Sequence, residues 1–226
     1  MQKMILLLTL LVSFSGSALA YEAGDWVARV GLTNVEPDAS SSNIFVGGGD
    51  LGFGVDVEDD TQLGLNLAYF ITDKWNVELL ASTPFDHDIV VNDNPLGLSE
   101  LSTATQLPPT VTFNYFLASA SSSFQPYIGV GVNLTVFFDE EFTDANEALG
   151  FSDLDLDESF GVAAQIGFDY FLSDKWLLNV SVRYIDISTD ATFTLNNAAL
   201  GVDNAPGEVS VDIDPIVTTL SVGYRF

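Results

Sequence analysis

Apolar and polar residues alternate along most of this chain with a period of two. From Trp26, the residues Trp26, Ala28, Val30 and Leu32 fall on one face and Val27, Arg29, Gly31 and Thr33 on the other, which is the pattern of a strand with one apolar side. The same reading predicts strands over 62–69, 75–82, 110–117, 128–136, 160–170, 176–184 and 218–226. Short connections at 72–74, 118–125 and 173–175 alternate with long ones at 34–61, 83–106, 139–159 and 186–215. Two of the short turns nearly repeat: Tyr69-Phe70-Ile71-Thr72-Asp73-Lys74-Trp75 returns as Tyr170-Phe171-Leu172-Ser173-Asp174-Lys175-Trp176. An aromatic at each end of a tight turn is the arrangement of a membrane-interface girdle. The pattern predicts an all-β fold, an eight-stranded antiparallel transmembrane β-barrel with short periplasmic turns and long acidic extracellular loops.

Energy decides which face meets lipid. An Arg or Lys facing lipid at the bilayer midplane costs ~2–4 kcal/mol, so the face carrying Arg29, Glu78, Asp169, Arg183 and Arg225 is expected to point inward. A soluble lipocalin-like barrel would reverse the faces and would have no reason to place Trp75, Tyr170 and Trp176 outward at the turns. An eight-stranded interior is just wide enough to be filled by side chains or to hold one small ligand. The inward charges therefore read first as a salt-bridged plug and second as a transport filter.

The first twenty residues carry Lys3, an apolar run from Met4 to Val12 and the small-residue ending Ala18-Leu19-Ala20, the composition of a cleaved secretory signal. The apolar run is too short to span a bilayer as a helix, which takes about 20 residues. Residues 1–20 are thus expected to be a signal peptide and 21–226 the barrel, with the cell outer membrane as its location. The chain has no cysteine, so a disulfide framework is excluded.

Charge sharpens the picture. The 226 residues hold 32 acidic and 6 basic side chains, for a formal net charge of −26, yet mean hydropathy is positive at +0.29. Apolar and acidic residues must be segregated. The basic residues of the mature chain lie on the predicted inward face or in the Asp-Lys turns, and the four long loops contain no Lys or Arg at all. Such a surface excludes nucleic acid as a partner. Asp153-Leu154-Asp155-Leu156-Asp157-Glu158 resembles a calcium ladder, but an EF-type loop needs Gly at its sixth position and Glu at its twelfth; Glu158 and Ala164 stand there. A solvated acidic loop is the expected reading, with no metal site and no cofactor. The single histidine, His87, lies between Asp86 and Asp88. It could act as a general base, but no nucleophile elbow is nearby, and a solvated loop histidine is expected, with no catalytic residue.

Apolar residues gather on the upper inward side. Leu80 faces inward, Phe137 and Phe138 end the fifth strand, Leu107-Pro108-Pro109 opens the fourth, and Phe85, Phe142 and Phe151 lie in adjoining loops. Proline donates no ladder hydrogen bond, so a local break in the wall near the outer leaflet is one expectation. Packing of the loops onto the barrel is the other.

Gly24-Asp25-Trp26 with Arg29 and Gly31, Leu107-Pro108-Pro109-Thr110, the run Pro126-Tyr127-Ile128-Gly129-Val130-Gly131-Val132-Asn133 leading to Phe137-Phe138, and the Asp-Lys-Trp turns together resemble the OmpW family of Gram-negative outer-membrane proteins. The end Val222-Gly223-Tyr224-Arg225-Phe226 resembles the signal read by the outer-membrane assembly machinery, through Tyr224 and Phe226. The resemblance implies a narrow, largely hydrophobic upper channel, closed toward the periplasm, that passes small hydrophobic molecules across the lipopolysaccharide layer and releases them sideways into the membrane. Leu80, Leu107, Pro108, Phe137 and Phe138 would line the channel or its side opening. The expected partners are outer-membrane lipid and lipopolysaccharide, small apolar solutes and the assembly machinery, with a monomer as the expected state. The alternative is a structural barrel with a plugged lumen and an acidic, cation-binding or adhesive surface.

Overall fold

The computed structural model describes residues 21–92, 100–119, 122–199 and 201–226; the expected signal peptide lies outside them. Eight strands form the wall: β1 (Trp26–Glu36), β2 (Asp60–Phe70), β3 (Trp75–Ser82), β4 (Thr110–Phe116), β5 (Phe124–Phe142), β6 (Ser159–Phe171), β7 (Trp176–Ile185) and β8 (Ile216–Arg225). Each pairs antiparallel with its chain neighbour, and β1 pairs with β8 from Val27↔Arg225 to Glu36↔Ile216. The sheet closes on itself, which leaves the membrane no open strand edge. At the closing seam Gly31 is required: a Cβ there would lie 2.0 Å from the Leu220 carbonyl oxygen.

The alternation sets the faces. Outward residues such as Leu32, Val130, Phe160 and Leu220 are at least 60 % exposed, a surface that only lipid covers without penalty. Inward positions around the charged cluster are polar, with Asn66, Asn76, Asn114, Gln165 and Asn179 buried there. Trp26, Tyr69, Trp75, Tyr115, Trp176 and Tyr224 ring the turn end, where Trp75 stacks 4.6 Å from Phe113. The repeated turns explain themselves at the hydroxyl. Thr72 Oγ1 accepts the N–H of Trp75 at 3.0 Å, and Ser173 Oγ accepts that of Trp176 at 3.1 Å, the local bond that makes Thr and Ser turn formers. Lys74 and Lys175 lie over the rings of Tyr115 and Tyr224 at 5.8 and 5.5 Å.

The long connections are not irregular loops. Strands Phe85–Val91 and Ser102–Leu107 pair with each other and extend the wall along the upper half of β5, from Val136↔Leu107 to Phe142↔Ser102, with Val55–Val57 at the edge. A second sheet combines Phe151–Leu156, Ser188–Asn197 and Val202–Asp212 with the short strands Ser40–Ser41, Phe45–Val46 and Gly49–Asp50. The inner faces of these two sheets bury Val55, Phe85, Leu101, Phe142, Phe193, Val209 and Val211 in one apolar cluster above the barrel. The acidic side chains alternate outward from the same strands, so a strongly charged segment still contributes a core.

A sealed lumen under an apolar chamber

The lumen is closed at two levels. At the periplasmic end Tyr21 turns back into the barrel and stacks 3.8 Å from Phe70, packed with Phe116, Tyr127, Phe171 and Leu177. Its hydroxyl donates to Asp169 at 2.5 Å. Above it Arg29 bridges Glu78 at 2.6 Å and Asp169 at 2.7 Å, while Arg183 reaches Glu78 at 3.3 Å and also donates to Gln165. Asn66 donates to Glu78 at 3.1 Å and Asn179 to Asp169 at 2.8 Å. Two guanidinium groups and two carboxylates thus cancel inside a fully buried network, the condition under which buried charge is tolerated. Arg225 stands apart from this cluster. It lies at the periplasmic rim, 3.7 Å from Asp25 and over the Phe171 ring at 5.5 Å, because its place at the end of β8 carries it below the lumen floor.

Leu80 is buried on the inner wall opposite Thr110. Above it, the apolar cluster encloses about 60 Å³ of free space, bounded by Phe137, Phe142, Phe193, Leu101, Leu154 and Val209 among others. Leu107, Pro108 and Phe138 do not border that space. Leu107 and Pro108 sit lower, at an interruption of the wall, and Phe138 pairs with Thr105 beside it. The β3–β4 ladder ends at Leu80↔Thr110, and pairing resumes only at Phe85↔Gln106. Pro84 on one side and Pro108 and Pro109 on the other have no N–H to offer. The backbone groups there turn to their other neighbours: Thr83 N–H donates to the Leu63 carbonyl at 2.9 Å, and the Pro109 carbonyl accepts from Leu134 at 3.2 Å.

His87 corrects the sequence reading. It is 4 % exposed on strand Phe85–Val91 and borders the chamber. Its Nδ1–H donates to the Glu58 carbonyl at 2.7 Å, and its Nε2 accepts from the Gln106 amide at 2.7 Å. Burial holds its pKa below the ordinary histidine value against the upward pull of the Glu58 carbonyl, Asp60, Asp86 and Asp59. The signal was present in the period of two, which sets Phe85, His87, Ile89 and Val91 on one face. Equally, Ala191, Phe193 and Leu195 and then Val209, Val211 and Ile213 alternate within acid-rich segments, and these residues form most of the second sheet's inner face.

A closed eight-stranded barrel with an aromatic lower girdle and a charge-sealed lumen defines the chain as an outer-membrane barrel protein. The OmpW family model matches residues 22–226, and the chain belongs to the OmpW family. Outer membrane protein W of Vibrio cholerae is 40 % identical over 213 residues, covering 94 % of this chain and 93 % of the relative. The crystal structure of outer membrane protein OprG from Pseudomonas aeruginosa superposes with a TM-score of 0.86 at 42 % identity, covering 93 % of this chain and 99 % of that one. The dibenzothiophene metabolism operon protein PahQ of Pseudomonas aeruginosa is 30 % identical over 205 residues, covering 91 % and 90 %. These relatives carry the names of outer-membrane and operon proteins, not of enzymes.

Proposed function

We propose that this barrel passes small hydrophobic molecules from the outer surface into the membrane by way of the apolar chamber and the interruption between β3 and β4. One observation carries the reading: an apolar chamber stands above a lumen filled by a neutral charge network, and the wall beside its floor lacks ladder bonds between 81–84 and 107–109. A solute moving down would have to break the Arg29–Glu78–Arg183 bridges, whereas a solute moving sideways meets prolines and Leu107. Leu80 and Phe137 would guide it, with Pro108 and Phe138 at the exit. Transfer from water to an apolar wall and then to lipid is favourable at about 25 cal/mol per Å² buried, so no energy source is required. The name of PahQ, a relative tied to dibenzothiophene metabolism, supports an apolar and compact cargo.

The test places refolded protein in vesicles with a lipopolysaccharide outer leaflet and compares entry of a small apolar fluorophore with that of a small sugar. Faster entry of the fluorophore alone, slowed by Phe137→Asp or Leu80→Asp, is the expected result. No acceleration of either solute by a folded barrel would overturn the reading in favour of a surface role. That second reading draws on the depression lined by Asp157, Glu158, Asp190 and Asp212 on the outer sheet.

A further inference from the structure

Four polar residues interrupt the apolar chamber wall: Ser102, Thr189, whose hydroxyl donates to the Asp157 carbonyl at 2.8 Å, and the pair His87 and Gln106, which face each other. Gln106 is 1 % exposed and spends an amide N–H on His87 Nε2. Its carbonyl oxygen Oε1 has no partner, and among the described residues bordering the chamber it is the buried side-chain atom left in that state. His87 has no donor to spare, since its Nδ1 proton is held by the Glu58 carbonyl. The corner therefore offers an acceptor that has no partner, beside the second N–H of the same amide.

Resting on the conduit reading above, we propose that the chamber selects apolar solutes that carry one hydrogen-bond donor, such as phenolic or indole-like molecules, with Gln106 Oε1 as the acceptor. A buried carbonyl without a partner keeps its desolvation penalty, which a hydroxyl-bearing guest relieves and a methyl-bearing guest of the same shape does not. Sites with such a group discriminate against the analogue that leaves it unpaired. The free space, about 60 Å³, is smaller than the roughly 150 Å³ cavity that admits benzene, so a guest must displace apolar side chains as it enters. A sugar or amino acid would then bury several groups with nothing to bond them. A carboxylate would meet an acceptor beside Asp60 and Asp86, both of which act on His87.

His87 acts as a positioning residue, since its unprotonated Nε2 keeps the amide N–H turned toward itself and leaves Oε1 free. Protonation converts Nε2 to a donor, the amide must turn round, and the acceptor is lost to the guest. The charged groups facing the ring are Asp59 just ahead of β2, Asp60 at its first position and Asp86 on the strand of His87 itself.

Phenol and toluene, which differ by hydroxyl against methyl, test this in wild-type protein held in lipid nanodiscs. Methyl NMR signals of Leu101, Leu154 and Ile213 report entry, the Gln106 side-chain amide reports the bond, and free aqueous concentration is measured to remove lipid partitioning. Phenol is expected to half-saturate at about fivefold lower concentration than toluene, the worth of one net hydrogen bond, and alone to shift the Gln106 amide. Gln106→Leu should abolish that advantage while toluene still binds, and acidification should abolish it in the wild type with toluene unchanged. Should Gln106→Leu fail to fold, the selective amide shift and the pH profile of the wild type still decide. Equal binding of both probes would overturn the donor preference and leave the conduit standing. Methyl signals unmoved by either probe would overturn the conduit reading and this inference with it.

Discussion

Replacing Glu78 by Gln is the sharpest test of the sealed lumen. Glu78 Oε2 lies 2.6 Å from Arg29 and Oε1 3.3 Å from Arg183, with side chains on both sides no more than 1 % exposed. The amide would leave the cluster one positive charge in excess. Arg29 keeps Asp169, but among the described groups Glu78 is the carboxylate that pairs with Arg183, whose Nε and Nη1 already lack partners. Breaking a buried pair by removing one member costs about 3–5 kcal/mol, and solvent screening does not soften it at this burial. With a urea slope of about 1–3 kcal/mol per molar, the unfolding midpoint should fall by at least about 1 M. The assay is equilibrium urea unfolding in detergent micelles, followed by tryptophan fluorescence. Glu78→Leu combined with Arg183→Leu removes one charge of each sign and should recover most of the loss. A midpoint within about 0.3 M of wild type for Glu78→Gln, or a double variant no better than the sum of its parts, would refute the view that charge pairing seals the barrel.

Three further outcomes are expected. Tyr21→Phe should cost about 1.5–3 kcal/mol, the range for a bond to a charged group, because it removes the 2.5 Å contact to Asp169; the same urea titration reads it. Because burial depresses the pKa of His87 below its ordinary 6.5, the unfolded state binds the proton first. Stability of the upper sheets is thus full above pH about 6.5 and is lost as pH falls toward the folded value, which amide exchange over Phe85–Val91 and Ser102–Leu107, corrected for intrinsic rates, should show in the wild type and not in His87→Gln. Gly31→Val should prevent closure, since its Cβ falls 2.0 Å from the Leu220 carbonyl; loss of the heat-resistant folded band on gel electrophoresis checks it.

The eight wall strands were legible because lipid outside and polar packing inside impose a strict period of two, which Arg29, Glu78, Asp169 and Arg183 obey without exception. The upper sheets were less legible. Ser188–Asn197 and Val202–Asp212 carry the same alternation, but their outward residues face water, so acidic side chains mask the apolar ones in any average over the segment. Arg225 shares the parity of the lumen residues, and parity says nothing of height; its distance along β8 takes it to the rim. The interruption between β3 and β4 was hinted at by Pro108 and Pro109, whereas the matching Pro84, between Ser82 and Phe85 on the facing side, became meaningful only once the register was known.

The pairing of β1 with β8 bears on biogenesis. Ten residue pairs join Val27–Glu36 to Ile216–Arg225, so the first and last wall segments are neighbours in space and about 190 residues apart in sequence, the most expensive kind of contact to form early. The wall therefore has no completed stage during synthesis, and a ribosome-bound fragment carries two unsatisfied edges however long it has grown. Alternation is what makes the delay survivable: polar or small inward residues such as Arg29, Gly31, Asn66, Glu78, Asn114, Gln165 and Ser181 interrupt the apolar positions of the wall segments, so those segments lack the run of about 20 apolar residues by which a membrane retains a helix.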